Sequence, residues 1–409
     1  MSLPPFLSSI DEQKDQMIHD VLSWSNINSG SLNLLGLERM AYTLRKAFEI
    51  TGASGEVLPS DPMTVITDTG AEQQIKVGPI LRIVKRPEAN RQILLCGHMD
   101  TVFDTSSDFQ TWEDLGGGKI RGPGVTDMKG GLRVILAALQ AFEQSPHKDQ
   151  LGWEVLINAD EEIGSFGSRR HLVEAAGRAN LGLVYEPSMP DGTLAGARKG
   201  SGNFTLVVTG KAAHAGREHH LGRNAITALS SMILDLNSLT GGRPDLTVNI
   251  GKIEGGGALN VVPDLAICRF NVRMKEPSDQ DWLQDAMDSI VAKMNNKADY
   301  TAILHGSFSR PPKPMSPMIT QLFDLVRMCG SDLGIEIKQQ PTGGCCDGNN
   351  LAAAGLPNID TLGVRGANIH SNQEFIITDS LTERAKLTAL ILHKLSSGNI
   401  PFPKKAPAS

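Results

Sequence analysis

The chain has 409 residues, of which 40% are hydrophobic and 21% charged, and its formal net charge is −6. This composition is typical of a folded globular protein with room for two domains. The acidic balance and the low aromatic content, 5%, argue against a nucleic-acid-binding protein, which needs basic patches and stacking platforms.

The first half of the chain alternates apolar strands with amphipathic helices. Two helical patterns near the N-terminus come first, and each later strand pattern ends on polar or acidic residues. Such alternation predicts an α/β domain with a mostly parallel sheet. The strand and helix patterns that follow the N-terminal helices are 92–100 (strand), 130–145 (helix), 153–162 (strand), 166–179 (helix) and 181–188 (strand).

The pattern changes near residue 200. Residues 198–310 have the order strand, helix, strand, strand, helix, strand, which predicts a small α+β unit of the split βαβ type, as in ferredoxin-like domains. The α/β pattern then resumes. We therefore predict a catalytic domain formed by residues 1–197 and 311–409, interrupted by an inserted domain at 198–310.

Three polar residues lie in strand-end or glycine-rich contexts. His98 and Asp100 close the strand LLCGHMD, where alternation would turn both side chains the same way. The imidazole could bind a metal while Asp100 orients it, or the two could form a polar cap. Asp127, in GPGVTDMKGG, could bridge two cations or cap the following helix.

The pair Glu161-Glu162 is the most informative local feature. If the apolar strand 153–162 continued to its end, its pleat would turn the two side chains to different sides. One carboxylate could then bind a metal while the other acts as a general base towards water. The alternative is a solvated acidic turn, but the flanking GSFGS leaves space for a site.

Glu186, in VYEPS, and His370, in GANIHS, are each ordinary surface residues if considered alone. Taken together with the three segments above, they complete a set of imidazoles and carboxylates suited to cations such as zinc. Two such ions about 3.5–4 Å apart can activate one water. The set predicts a paired-metal hydrolase.

Five motifs in one order carry a family resemblance: GHMDTV, GPGVTDMKGG, DEEIGSFGSR, the YEP step and GKAAHAGREHHLGRNAI. With them, the chain from about residue 10 to 395 resembles the M20 metallopeptidases, and most of all their glutamate carboxypeptidase branch. The resemblance implies a di-zinc exopeptidase-type fold and a cis peptide after Asp127. It implies that His98 and Glu186 hold one zinc, Glu162 and His370 the other, Asp127 bridges them, Asp100 orients His98 and Glu161 is the general base.

The insertion resembles the lid and dimerisation domain of that family. The resemblance implies that His214, in KAAHAG, reaches the active site of a second subunit and stabilises the oxyanion. It also implies that Asn260 and Arg273 bind the substrate backbone and carboxylate. Arg273 suits a carboxylate because its guanidinium can make two parallel hydrogen bonds, although it could equally be an exposed strand cation.

One segment departs from the family pattern. Where relatives carry small or hydroxyl residues, this chain has Cys345-Cys346 before Asp347. Thiolates bind zinc in other folds, so an altered or oxidation-sensitive site is one interpretation. The interpretation we favour is that both thiols pack beneath the site, while the changed loop affects substrate choice.

These inferences predict a zinc-dependent carboxypeptidase, with cobalt or manganese as alternative metals, that releases a C-terminal amino acid such as glutamate. An N-acyl-amino-acid deacylase is the alternative enzyme, and an inactive ligand-binding or assembly module is the non-enzymatic one. We expect a small peptide or N-acyl amino acid as substrate, a homodimer, and no nucleic-acid or membrane partner. The odd number of cysteines and the lack of a signal-peptide pattern predict a cytoplasmic location.

Overall fold

The structure, a computed structural model, describes residues 3–398. The predicted domain boundaries at residues 1 and 409 therefore lie outside the described residues. The elements before residue 199 are α1 (Ser8–Asp11), α2 (Lys14–Ser25), α3 (Leu34–Phe48), β1 (Ser54–Leu58), β2 (Met63–Ile66), β3 (Glu72–Ile75), β4 (Ile80–Lys85), β5 (Gln92–His98), β6 (Glu113–Gly116), β7 (Lys119–Arg121), α4 (Gly130–Phe142), β8 (Gly152–Asn158), α5 (Arg169–Arg178), β9 (Leu181–Val184) and β10 (Leu194–Arg198).

The middle of the chain forms an α+β unit in the predicted element order. Its elements are β11 (Gly200–Thr209), α6 (Ala225–Asn237), β12 (Thr247–Gly255), β13 (Leu265–Met274), α7 (Ser278–Asn295) and β14 (Thr301–Arg310). The four strands make one antiparallel sheet in the order β12-β13-β11-β14. Helices α6 and α7 cover one face of this sheet with a separate apolar core. We call this unit the lid domain.

The last part of the chain adds strands to sheets that the first part begins. Its elements are α8 (Pro317–Asp332), β15 (Gln339–Thr342), α9 (Asp347–Ala353), β16 (Asn358–Ile359), β17 (Gly366–Ala367), β18 (Phe375–Ile377) and α10 (Asp379–Ser396). Strand β16 pairs with β9, and β18 pairs with β7, so both ends of the chain share the same sheets.

The central sheet has six strands in the order β1-β4-β8-β5-β9-β16. Strands β8, β5, β9 and β16 run parallel, whereas β1 and β4 are antiparallel to their neighbours. The expected α/β class is confirmed, and the sheet is mixed because β1 and β4 pair antiparallel at one edge. The parallel strands are buried on both faces, as their continuous apolar sequences predict.

Helices cover both faces of the central sheet. Helix α4 is apolar on nearly every side, and 12 of its 13 residues are buried because α10 and α2 pack against it. The opposite face carries α5 and α9, with Leu172 and Leu351 in its core. Within residues 3–398, no helix is both long and apolar enough to span a bilayer.

Candidate metal centre

The candidate ligands gather where the central parallel strands end. Strand β5 ends at His98, β8 ends three residues before Glu161, and β9 ends two residues before Glu186. These three strands are adjacent in the sheet, and open α/β sheets place their sites at this edge. The sheet order therefore brings together side chains that are far apart in sequence.

His98 is buried and has its two ring nitrogens in different surroundings. Nδ1 lies 3.0 Å from the backbone carbonyl of Asp100 and 3.3 Å from its Oδ1. If Nδ1–H donates there, Nε2 is left facing Asp127 Oδ1 at 3.1 Å and Glu186 Oε2 at 3.8 Å. Although burial alone disfavours the charged ring, the three carboxylates raise the pKa of His98 well above its usual value. The predicted Asp100–His98 contact is present, and the Asp100 carbonyl is the nearer acceptor.

Asp127 faces both imidazoles. Its Oδ1 approaches His98 as described, and its Oδ2 lies 3.2 Å from His370 Nε2. Asp127 lies in the tight turn before α4, and the Asp127–Met128 peptide is cis, which confirms that expectation. The pKa of Asp127 lies below its usual range because hydrogen bonds from His370 and His98 outweigh its burial.

His370 lies on the loop between β17 and β18, in the left-handed region at φ 61°. Its Nε2 is 3.1 Å from Glu162 Oε2, in addition to its approach to Asp127. Hydrogen bonds to these two carboxylates raise the pKa of His370 to about 11. Burial and the charge of Asp127 raise the pKa of Glu162 to about 7.

These distances fit a pair of cations. Donor atoms around a tetrahedral zinc with bonds of about 2.0–2.1 Å lie roughly 3.3–3.4 Å apart. The four imidazole–carboxylate distances given above are between 3.1 and 3.8 Å. The donor set, imidazole and carboxylate, also suits zinc.

Donor atoms can be grouped in more than one way. Ligand atoms of His98, Glu161 and Glu186 lie within 4.8 Å of one another, as do those of His98, Asp127 and Glu162. We favour a division around Asp127, because its two oxygens face two different imidazoles. Glu161 then lies beside one candidate cation site without being needed to complete it.

The conformation of the two acids differs from the sequence-based argument. Strand β8 ends at Asn158, and Glu161–Ile163 form a short 3-10 turn, so the expected strand pleat does not separate Glu161 from Glu162. The backbone N–H groups of both acids donate to the Asp100 carboxylate at 3.1 Å. Asp100 therefore orients the acidic turn as well as His98.

Glu161 has a cationic partner that the sequence did not indicate. Arg310 Nη2 donates to Glu161 Oε1 at 2.7 Å. Burial raises the pKa of Glu161 well above its usual value, while Arg310 acts in the opposite direction.

Glu374 is a second residue that sequence reasoning missed. It is fully buried and accepts the backbone N–H groups of Gly124, Thr126 and Asp127 at 3.1, 2.8 and 2.9 Å. Burial, together with the charge of Asp127, raises the pKa of Glu374 to about 8. Its spacing of four residues from His370 is its one local signal, and that spacing alone has no structural meaning in a loop.

The acids open into a cleft of about 350 Å³. That volume falls in the range of small-molecule sites, about 300–1,000 Å³. Cys345 lines the cleft, and Arg273 Nη1 donates to its Sγ at 3.2 Å. Arg273 is not itself among the described residues that line the cleft, but it contacts one of them in the same subunit.

The other two lid residues are placed differently. His214 and Asn260 are both exposed, and neither is among the described residues that line the cleft. His214 Nδ1 accepts N–H groups of its own loop, from Gly216 and Arg217. Any approach of His214 to a metal centre would therefore involve lid movement or a second subunit.

The two cysteines of the departing segment have structural partners. Cys345 Sγ donates to the carbonyl of Lys199 at 3.0 Å, and the buried Cys346 Sγ accepts the N–H of Gly348 at the start of α9. Within the described residues, neither thiol belongs to a group of possible metal ligands. The contacts of the buried Cys346 fit the packing role that we favoured, whereas Cys345 lies in the cleft wall and not beneath the site.

Comparisons with known proteins give the family. A model of "Peptidase family M20/M25/M40" matches residues 94–394. Carboxypeptidase G2 from Pseudomonas sp. (strain RS-16) is 30% identical over 75% of this chain and 75% of its own. Succinyl-diaminopimelate desuccinylase from Psychrobacter arcticus is 28% identical over 76% and 80%. A solved M20 metallo-carboxypeptidase from Sulfolobus solfataricus has the same fold, with a TM-score of 0.71, 16% identity, and coverage of 93% and 99%. On the strength of the family match and the carboxypeptidase relative, this chain is an enzyme of peptidase family M20/M25/M40.

Proposed function

We propose that this enzyme hydrolyses an amide bond next to a free carboxylate and releases a C-terminal amino acid such as glutamate. The observation that carries the proposal is the position of Asp127, with one oxygen towards His98 and the other towards His370. Two zinc ions, or cobalt or manganese, would be held by His98 and Glu186 on one side and Glu162 and His370 on the other, with Asp127 shared. When bound, such ions lower the pKa of water and polarise the carbonyl that it attacks.

Protein side chains supply proton transfer and hold the metal ligands in position. Glu161, held beside the ligands but not needed as one, takes the proton from the attacking water and returns it to the leaving amine. Asp100 holds the His98 ring and the turn that carries Glu161. Burial raises the pKa of Glu161 well above its usual value, towards the range that a general base needs.

We infer the substrate class from the small cleft and from Arg273, a cation that contacts the cleft residue Cys345. A cleft of about 350 Å³ suits a dipeptide or an N-acyl amino acid. Arg273 has five guanidinium N–H donors, and two of its nitrogens are used by Asn271 and Cys345. We therefore assign the substrate carboxylate to Arg273, and the substrate backbone to Asn260 from the lid.

An N-acyl-amino-acid deacylase is the second candidate. Its support is the similarity to succinyl-diaminopimelate desuccinylase, which extends over three quarters of the chain. Both candidates need the same ions and base, and both release an amino acid as the leaving amine. They differ in the acyl group of the cleaved bond, which is a peptidyl group in the first and a simple acyl group such as acetyl or succinyl in the second.

We also propose a homodimer formed through the lid domain. Strand β12 is an edge of the lid sheet, and apolar side chains are exposed on α6, on β12 and in the loop after β12: Leu234 by 71%, Ile253 by 58% and Leu259 by 101%. The open edge of β12 offers unpaired backbone groups to which a second copy of the chain could add a strand. A second subunit would bring His214 towards the partner's oxyanion, and the odd number of thiols supports a reducing, cytoplasmic compartment.

A substrate panel with matched chelator controls tests this proposal. Peptides ending in glutamate should be hydrolysed faster than N-acetyl or N-succinyl amino acids, and chelation followed by zinc addition should remove and restore the activity. The variant E161A should keep normal metal content while kcat falls by at least about 100-fold. Full activity of E161A would exclude Glu161 as the base, and preference for N-acyl substrates would favour the deacylase.

A further inference from the structure

Arg310 links the end of the lid domain to the acidic turn of the metal centre. It is the last residue of β14 and is only 5% exposed. Its Nη2 donates to Glu161 twice, to the carboxylate Oε1 and to the backbone carbonyl, both at 2.7 Å. A single side chain thus fixes both the backbone and the carboxylate of the proposed base.

The guanidinium is itself held in place on its other side. Its Nη1 donates to Asp347 Oδ1 at 2.9 Å, and Nη2 also reaches Ser165 Oγ at 3.0 Å. Asp347 in turn accepts from Ser165 Oγ and from Asn158 Nδ2, both at 2.6 Å. The planar guanidinium of Arg310 is therefore held in one orientation, which the single ammonium group of a lysine would not be.

This arrangement leaves Arg310 unsuited to binding substrate. Both of its terminal nitrogens already donate to protein acceptors, Nη1 to Asp347 and Nη2 to Glu161. Glu161, in contrast, lines the cleft and lies close to His98 and Glu186. The contact therefore acts on the proposed base, Glu161, and not on the substrate.

We propose that Arg310 is a positioning residue that holds the Glu161 carboxylate at the geometry needed for proton transfer. The inference rests on the proposed function, because it gives Glu161 the role of general base. A misplacement of about 1 Å in such a group can lower the rate roughly 100-fold. A purely structural role for Arg310, neutralising buried acids, would instead lower stability and leave kcat unchanged.

The test compares R310M with a control of matched burial. Arg133, on α4, is 2% exposed and pairs with Asp20 of α2 at 2.8 Å. The variant R133M therefore removes a similarly buried cation away from the site. For zinc-loaded R310M we expect kcat to fall about 100-fold, KM to change by less than about 3-fold, and metal content to stay at the wild-type value. We expect R133M to lower Tm and to keep the wild-type kcat.

The double variant E161Q/R310M separates positioning from other effects. If Arg310 acts through Glu161, the double variant should be no slower than E161Q alone, because the two losses are not additive. Unchanged kcat in R310M, loss of metal from it, or a further fall in the double variant would each overturn the inference. If R310M does not fold, R310K and E161Q/R310K give the same comparison.

The wild-type protein separates this inference from the proposed function. Wild-type activity on the peptide or N-acyl substrates together with a fully active R310M would overturn only the role of Arg310. A zinc-loaded wild-type protein that hydrolyses none of the panel would overturn the proposed function, and the role of Arg310 with it.

Discussion

Glu374 accepts the backbone N–H of Asp127 at 2.9 Å, and it thereby fixes the residue that both candidate cation sites share. The same carboxylate accepts two further N–H groups of the turn, from Gly124 and Thr126. The buried carboxyl group of Glu374 thus gathers three donors and sets the direction of Asp127 towards the two candidate cation sites. Partners of this kind commonly change metal affinity 10–100-fold when they are mutated.

The variant E374Q should therefore weaken metal binding. Glutamine has one carbonyl oxygen, so its NH₂ group would face a backbone N–H in the turn and lose a hydrogen bond. We expect zinc affinity, measured by competition with a chromogenic chelator, to fall by at least about 10-fold. The control is E143Q, since Glu143 is also largely buried and accepts from Arg86 and Trp153 away from the site. Equal zinc affinity of both variants would contradict this role of Glu374.

Metal binding should release protons and strengthen as the pH rises. In the metal-free protein the pKa of His370 is about 11 and that of Glu162 about 7, so His370 carries a proton at neutral pH. A cation binds only the deprotonated forms, so raising the pH favours the bound state. Below pH 7 protonated Glu162 adds to the proton release, which makes the dependence steeper there.

Calorimetry in buffers of different ionisation enthalpy measures this release. The number of protons released per chain should be larger at pH 6 than at pH 8. In H370A the release at pH 8 should fall by about one proton, because that imidazole no longer exchanges a proton for a cation. A zinc affinity that does not change between pH 6 and pH 8 would contradict the assignment of these ligands.

Much of this centre was predictable from local sequence, and some of it was not. His98 ends one strand, and Glu161 and Glu186 come soon after two others. The apolar runs of these strands are evident, and parallel strands gather their carboxyl ends at one edge. Arg310 and Glu374 come from segments 149 and 247 residues away from the groups they hold. No periodicity connects such distant positions, so tertiary packing alone brings them together. The 3-10 turn at Glu161 was missed for a related reason, since its conformation is set by hydrogen bonds to the distant Asp100.

Arg273 should control recognition of the substrate carboxylate. Loss of charge-assisted hydrogen bonds, about 1.5–3 kcal/mol, predicts that R273M raises KM for carboxylate substrates roughly 10–100-fold. Substrates with an amidated C-terminus should be hydrolysed slowly and equally by wild type and R273M. The control is R269M, because Arg269 lies on the same strand and face but donates to the carbonyl of Ile66. A KM in R273M equal to that of wild type would remove Arg273 from the binding site.

The dimer proposal predicts complementation between two inactive variants. H214A removes the residue that would act in the partner's site, and E161A removes the base of a subunit's own site. In a mixed dimer of two-fold symmetry, one active site carries both defects and the other carries neither. Equal mixing after dissociation and reassembly should therefore restore about one quarter of the wild-type sites. The measurements are the rate of the mixture against each variant alone, and the molar mass of each by light scattering. An active H214A, or a mixture that stays as inactive as its components while the protein is dimeric, would show that His214 does not act across the subunits.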